Sequence, residues 1–156
     1  MKRRSAIKTG ALGITLTELL VALAVVALLT AIAIPSYQYQ LSKARRVTMQ
    51  NELVRLAQRM ERIYSETGCY NPGADNDCTT TDDAGNPALA TSVPYYTIAF
   101  PEAVTADSFR LRATPIEQGP QDGDGIIEIN HLGQRSWDEN DDGDVVDDGE
   151  NDWSRG

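Results

Sequence analysis

Histidine and cysteine are almost absent from this chain: His131 stands alone, and Cys69 and Cys78 are the only cysteines in 156 residues. That rules out a zinc finger, which needs four Cys or His ligands. It also leaves no histidine-based nucleophile constellation, because His131 has no nearby Ser, Cys or second His in the sequence. No glycine-rich loop of phosphate-cradling spacing occurs. Basic charge is scarce after the start. Lys2, Arg3, Arg4 and Lys8 give the first 13 residues +4, and the net charge of −9 therefore leaves −13 on the rest (−9 − 4 = −13). A chain so acidic lacks the basic patches of a nucleic-acid binder, and no nucleic-acid partner is expected. Long apolar runs are also scarce, with one exception.

That exception is Leu19 to Ile34, in which Thr30 is the only polar residue. From Ile14 the run would rise about 30 Å as a helix, one hydrocarbon core. The basic tip before it reads as a cytoplasmic flank, placing the remainder outside. Glu18 sits just inside the N-terminal edge, where a carboxylate is costly in lipid and functional by default. An ordinary cleaved signal with Ala31-Ile32-Ala33 as its cleavage site, or a twin-arginine signal built on Arg3-Arg4, has no use for Glu18. A membrane anchor retained after a short leader is removed accounts for it better.

The stretch Gly13-Ile14-Thr15-Leu16-Thr17-Glu18, with Pro35 after the apolar run, resembles the prepilin motif of the type IV pilin superfamily. The resemblance covers residues 1 to about 40. Where the family more often has Phe at the first mature position, this chain has Ile14. The resemblance implies that a prepilin peptidase cuts between Gly13 and Ile14 and that the new Ile14 amine is N-methylated. It implies that Glu18 pairs with the N-terminal amine of a neighbouring subunit, so that one axial offset satisfies both charges. It makes Pro35 the helix-kinking proline of the family.

Helical spacing continues from Ser36 to Glu66. Leu41, Ala44, Val47, Leu53, Leu56, Ala57, Met60, Ile63 and Tyr64 trace one apolar stripe, and Gly68 is the expected stop. Residues 68–94 read as a connecting loop rich in Asp, Asn, Thr, Gly and Pro. Strands are expected at Tyr95–Phe100, Ser108–Thr114, Ile126–Asn130 and Arg135–Trp137. The order of long helix, loop and meander is similar to a pilin head, and Leu111-Arg112-Ala113-Thr114-Pro115 resembles minor pilins. Cys69 and Cys78 favour one short disulfide outside the cytoplasm, with a metal pair as the alternative.

The tail from Asp138 to Asp152 carries nine carboxylates in fifteen residues. Asp138-Glu139-Asn140-Asp141-Asp142-Gly143-Asp144 matches the opening of a calcium loop, with oxygen donors at alternate positions and glycine at the sixth. The twelfth position is Gly149 where a glutamate is normal, so Asp147, Asp148 or Glu150 would have to substitute. The candidate Ca2+ ligands are Asp138, Asn140, Asp142, Asp144 and Asp148. The bland reading is a solvated acidic tail without any cofactor. Trp137 and Trp153 either clasp the C-terminal segment onto the sheet or are exposed adhesive aromatics. Asp122 and Asp124 read as turn-formers, and His131 as a turn histidine.

The expected fold class is α+β: a long membrane-spanning helix continuing into a head of three to four antiparallel strands packed on it. The expected organisation is a leader at 1–13, a transmembrane and filament-core helix at 14–36, an amphipathic helix at 37–67, the loop at 68–94, a sheet at 95–137 and the acidic tail at 138–156. By resemblance the chain is a non-enzymatic minor pilin, anchored in the bacterial inner membrane with its head periplasmic and then carried on a surface pilus. Its implied partners are other pilin subunits, the prepilin peptidase, the pilus assembly machinery and, before assembly, the lipid bilayer. Adhesion or twitching motility are the implied roles. A type II secretion pseudopilin with a calcium-stabilised head is one alternative, and an exported binding protein with an ordinary N-terminal signal or anchor is another.

Overall fold

A computed structural model describes residues 13, 15–73, 78, 86–89 and 93–153. The leader cations, Ile14 and residues 74–77 of the disulfide loop lie outside the described residues. The helix α1 runs Leu16–Thr67 without interruption, passing through Pro35. Four strands follow: β1 (Tyr96–Ala99), β2 (Arg110–Pro115), β3 (Ile127–Asn130) and β4 (Arg135–Trp137). They form one antiparallel sheet in the order β1-β2-β3-β4, a simple meander.

Local chemistry sets the ends of α1. Thr15 is the N-cap: its carbonyl accepts the Leu19 N–H at 3.1 Å, and its hydroxyl oxygen accepts the Glu18 N–H at 3.3 Å. Thr15-Leu16-Thr17-Glu18 thus has the spacing of a capping box. At the other end the Gly68 N–H donates to the Tyr64 carbonyl at 2.7 Å, and Gly68 has φ +88°. Glycine enters that left-handed conformation without a side-chain clash, and the helix stops there as its sequence indicates.

The chain divides into two compact units, Met1–Tyr39 and Gln40–Gly156. In the first, every described residue of α1 is exposed. Thr30, the one polar residue of the apolar run, is satisfied within the helix: its hydroxyl donates to the Val26 and Ala27 carbonyls, each at 3.0 Å.

In the second unit, Met49, Leu53, Leu56 and Met60 of α1 form one core with Leu111, Ala113, Ile127, Ile129, Tyr96 and Trp137 of the sheet. Alternation places Leu111 and Ala113 inward while Arg110 and Arg112 face outward. The expected helical stripe was partly misplaced. Ala44, Val47 and Tyr64 are exposed, and the buried face opens instead with Arg46, Met49 and Gln50. Apolar periodicity misses a face whose first buried members are an arginine and a glutamine, since both are hidden by specific partners and packing rather than by hydrophobicity.

Candidate functional site

The assembly residues of the sequence reading occupy the exposed part of α1. Glu18 is the third residue of the helix, held at its start by the Thr15 cap. No ion pair forms at Glu18 among the described residues. A carboxylate in the first turn interacts favourably with the helix dipole, which alone would explain a glutamate there. It would not explain the long exposed apolar surface that follows, from Leu19 through Ile34. Such a surface needs a solvent other than water or a partner to cover it.

The head is tied to its own helix by a polar network that the sequence does not announce. Asp124 accepts from the Arg46 guanidinium through both carboxylate oxygens, from the Tyr96 hydroxyl and from the Gln121 amide. The Arg46 guanidinium lies 3.8 Å from the centre of the Trp137 ring, and the Trp137 indole N–H donates to the Asp124 carbonyl at 2.7 Å. Burial, followed by the bond to Asp124, pushes the Tyr96 phenol well above the ordinary tyrosine range. Gln121 is fully buried and bonds the Ser42 carbonyl at 3.2 Å. The β2–β3 loop is therefore pinned to α1, and Asp124 is a structural anchor as well as a turn residue. Gly125, the next residue, has φ +74°, and a side chain there would run into the Asp138 carbonyl. Only glycine lets the two backbones meet.

The C-terminal segment is folded onto β4. The Trp137 N–H donates to the Glu150 carbonyl at 2.8 Å, and the Trp153 indole N–H donates to the Ser136 carbonyl at 3.0 Å. Both tryptophans thus clasp the tail onto the sheet. Within the tail, one oxygen each of Asp138, Asp142 and Glu150 lies within 4.8 Å of the others. Asp138 and Glu150 are buried, and neither forms an ion pair among the described residues. Asp138 accepts the N–H groups of Asp142 and Gly143, at 3.2 and 3.0 Å, and Glu150 accepts that of Asp147 at 3.1 Å. Of the remaining expected ligands, Asn140 donates to Asp142 and Asp147, and Asp144 caps the Val146 N–H. The glutamate that joins the aspartates is Glu150, one of the substitutes the loop spacing allowed, and not Asp148.

Cys69 and Cys78 are joined as a disulfide, so they hold no metal. His131 follows β3 in a turn, its ring 6.4 Å from those of Tyr70 and Phe109. Tyr70 is driven up to about 12, mainly by burial and then by its bond to Glu61. A cleft of about 550 Å³ opens between the sheet and the tail, lined in part by Arg110, Glu128, Arg135, Val146 and Asp152. Glu128 is already matched there, to Arg112 at 2.6 Å and Arg110 at 3.8 Å.

Residues 35–125 match a family described as type IV minor pilin ComP, DNA uptake sequence receptor. No curated protein matches. Among solved structures, a type IV pilin from Shewanella oneidensis is similar at 30% identity, with 60% of this chain and 89% of that one covered and a TM-score of 0.44. The non-core minor pilin PilV of Neisseria meningitidis is similar at 19% identity, with 70% and 98% covered and a TM-score of 0.49. The family match takes in more than half of the chain, from Pro35 through the helix, β1 and β2 to the Asp124 loop, and so this chain belongs to the type IV minor pilin family.

Proposed function

We propose that the chain is inserted as a minor subunit into a pilus from the bacterial inner membrane, with the first part of α1 serving as membrane anchor and then as filament core. The observation that carries this is the wholly exposed apolar run of α1 with Glu18 at its edge. The prepilin peptidase cuts between Gly13 and Ile14, the Ile14 amine is methylated, and Glu18 pairs with the corresponding amine of a neighbour during assembly. The assembly machinery then withdraws the helix from lipid into the filament. The part played is structural and non-catalytic, with adhesion or motility as what the finished filament serves. Mass spectrometry of the mature chain tests it. A mass beginning at methylated Ile14 is expected, and a chain beginning near Ile34 overturns the reading in favour of an ordinary signal.

The family's description names a DNA uptake sequence receptor, which gives DNA capture as a second reading. Against it stands the charge: residues 14–156 carry −13, and Arg46, Arg110 and Arg112 already face carboxylates. Phosphate binding depends on free cations and is strongest at low salt. Fluorescence anisotropy with duplex DNA at low salt decides: no binding is expected, and binding that weakens steeply with salt would establish the DNA reading.

The tail carries a calcium reading, favoured by the burial of Asp138 and Glu150 without a compensating cation among the described residues. Buried carboxylates need a partner charge, and oxygen donors gathered this closely suit Ca2+. Asp138, Asp142 and Glu150 would hold it. Calorimetric titration of the full chain in detergent tests the reading, with chelator-reversible binding expected and its absence leaving a self-capped acidic tail. Such a site would also fit a secretion pseudopilin, and filament type is decided by which machinery assembles the chain.

A further inference from the structure

Tyr37 and Tyr39 are 68% and 60% exposed and come directly after the apolar run that ends at Ile34. Two residues apart on an α-helix, they point about 200° apart around the axis and differ in height by about 3 Å. A surface that docks one protein partner repeats its apolar groups every three or four residues, so that they share a face. Two tyrosines at nearly one height on opposite sides suit a medium that surrounds the helix. The boundary between acyl chains and headgroups is such a medium, since a tyrosine ring can sit in the apolar side with its hydroxyl in the wet side.

The spacing to Glu18 strengthens this. From Glu18 to Tyr37 is 37 − 18 = 19 residues of unbroken helix, a rise of about 28 Å against a hydrocarbon core of about 30 Å. The polar residues between them are Thr30, whose hydroxyl is satisfied inside the helix, and Ser36, next to Tyr37. With the tyrosines at one headgroup level, Glu18 falls at the other.

We propose that Tyr37 and Tyr39 form an interfacial anchor to the lipid bilayer. They set the depth of the waiting subunit so that Glu18 rests among the headgroups and water of the opposite leaflet. This rests on the reading of the first part of α1 as a membrane span. It also refines the cost attached to Glu18. The carboxylate is not desolvated while the subunit waits, and its demand for a partner arises only when the helix enters the filament.

The test uses the full chain in vesicles of phosphatidylethanolamine and phosphatidylglycerol. A nitroxide is attached to single cysteines introduced by Thr17→Cys, Val21→Cys, Ala27→Cys and Ala31→Cys. Cys69 and Cys78 are tied to each other and leave the introduced thiol as the reactive one. The ratio of oxygen to nickel-chelate accessibility reports depth. A maximum near Ala27 is expected, with a headgroup-level value at Thr17. In the Tyr37→Ala, Tyr39→Ala background the maximum should move by about one turn, roughly 4 residues, and Trp at both positions should restore it. A maximum that stays in place in the double alanine variant overturns the anchor, also if filament incorporation falls, because the tyrosines would then serve a protein contact. A maximum well away from Ala27 in the native chain overturns the register. No maximum at any position overturns the spanning reading itself.

Discussion

Leu19 to Ile34 and Met49 to Met60 belong to one helix, yet they meet their surroundings in different ways. In the first stretch every residue is exposed, whereas Met49, Leu53, Leu56 and Met60 are at most 2% exposed. The later stretch is amphipathic and finds its apolar partner in the sheet of the same chain. The earlier one is apolar all round, and a helix of that kind requires an environment that encloses it. Acidic groups follow the same division. Asp124 receives the Arg46 guanidinium within the head, while Glu18 has no cation among the described residues. Burial that is completed inside the chain belongs to folding. Burial left incomplete calls for a medium or a partner outside the chain.

The strongest way to break that comparison is at Glu18. Glu18→Ala should leave membrane insertion and the melting of the head unchanged. It should reduce recovery of the subunit in sheared filaments by on the order of 100- to 1,000-fold, because the neighbour's N-terminal amine is then left as an unpaired buried charge at a cost of about 3–5 kcal/mol. Immunoblotting of sheared filaments against the membrane fraction measures this. Normal incorporation of the variant would sink the pairing and leave Glu18 as a capping-box residue.

At Asp124 the effect should appear in folding instead. Asp124→Ala strands Arg46 against Trp137 and removes the acceptor of Tyr96 and Gln121. The expected loss is about 3–5 kcal/mol of head stability, read as a lower melting temperature of the full chain in detergent. Arg46→Met should also destabilise, and the double variant should lose much less than the sum, since the residues share one network. Additive losses would mean that Arg46 acts through its stacking on Trp137 alone.

This contrast also marks how far the sequence could be read. The long apolar helix, the stop at Gly68, the meander and all four strands were legible, because apolar runs, alternation and turn residues act locally. The disulfide was legible from two cysteines close together in the chain. The buried face of α1 was not legible at Arg46 and Gln50, and Asp124 looked like a turn-former. The burial of Arg46 and Asp124 depends on their pairing with each other across 78 residues of chain. Periodicity carries no information about a partner at that separation. The tail was readable as an oxygen-rich loop but not in its closure. Glu150 comes beside Asp138 because β4 and the tail share a backbone bond at Trp137.

A subtler test probes the same network through pH. Tyr96→Phe removes one hydrogen bond to Asp124, and the expected cost at neutral pH is about 1 kcal/mol. Tyr96 and Tyr70 are both raised above the ordinary value of 10.0 in the folded protein. A raised group contributes stability that is fully present below its unfolded value and lost as pH climbs through the folded one. Thermal melts should therefore fall as pH rises above 10, and the fall should be shallower in Tyr96→Phe. An alkaline limb as steep as in the native chain would assign the sensitivity to Tyr70.

Gln50 offers the smallest effect and the sharpest distinction. Among the buried side-chain atoms described, its amide nitrogen is the one without a hydrogen-bond partner. It lies in the half of α1 that otherwise completes its burial within the chain. Replacing a buried unsatisfied amide by an apolar group of similar shape removes a desolvation penalty of about 1–3 kcal/mol. Gln50→Met should accordingly raise head stability, by about 1 kcal/mol once imperfect packing is allowed for. Denaturant unfolding of the full chain in detergent measures the change. If Gln50→Met stabilises the head and leaves filament incorporation intact, this half of the helix owes nothing to a neighbour at that position. If it stabilises the head but lowers incorporation, the amide is kept for a subunit contact, and the boundary between folding and assembly runs through the buried face itself.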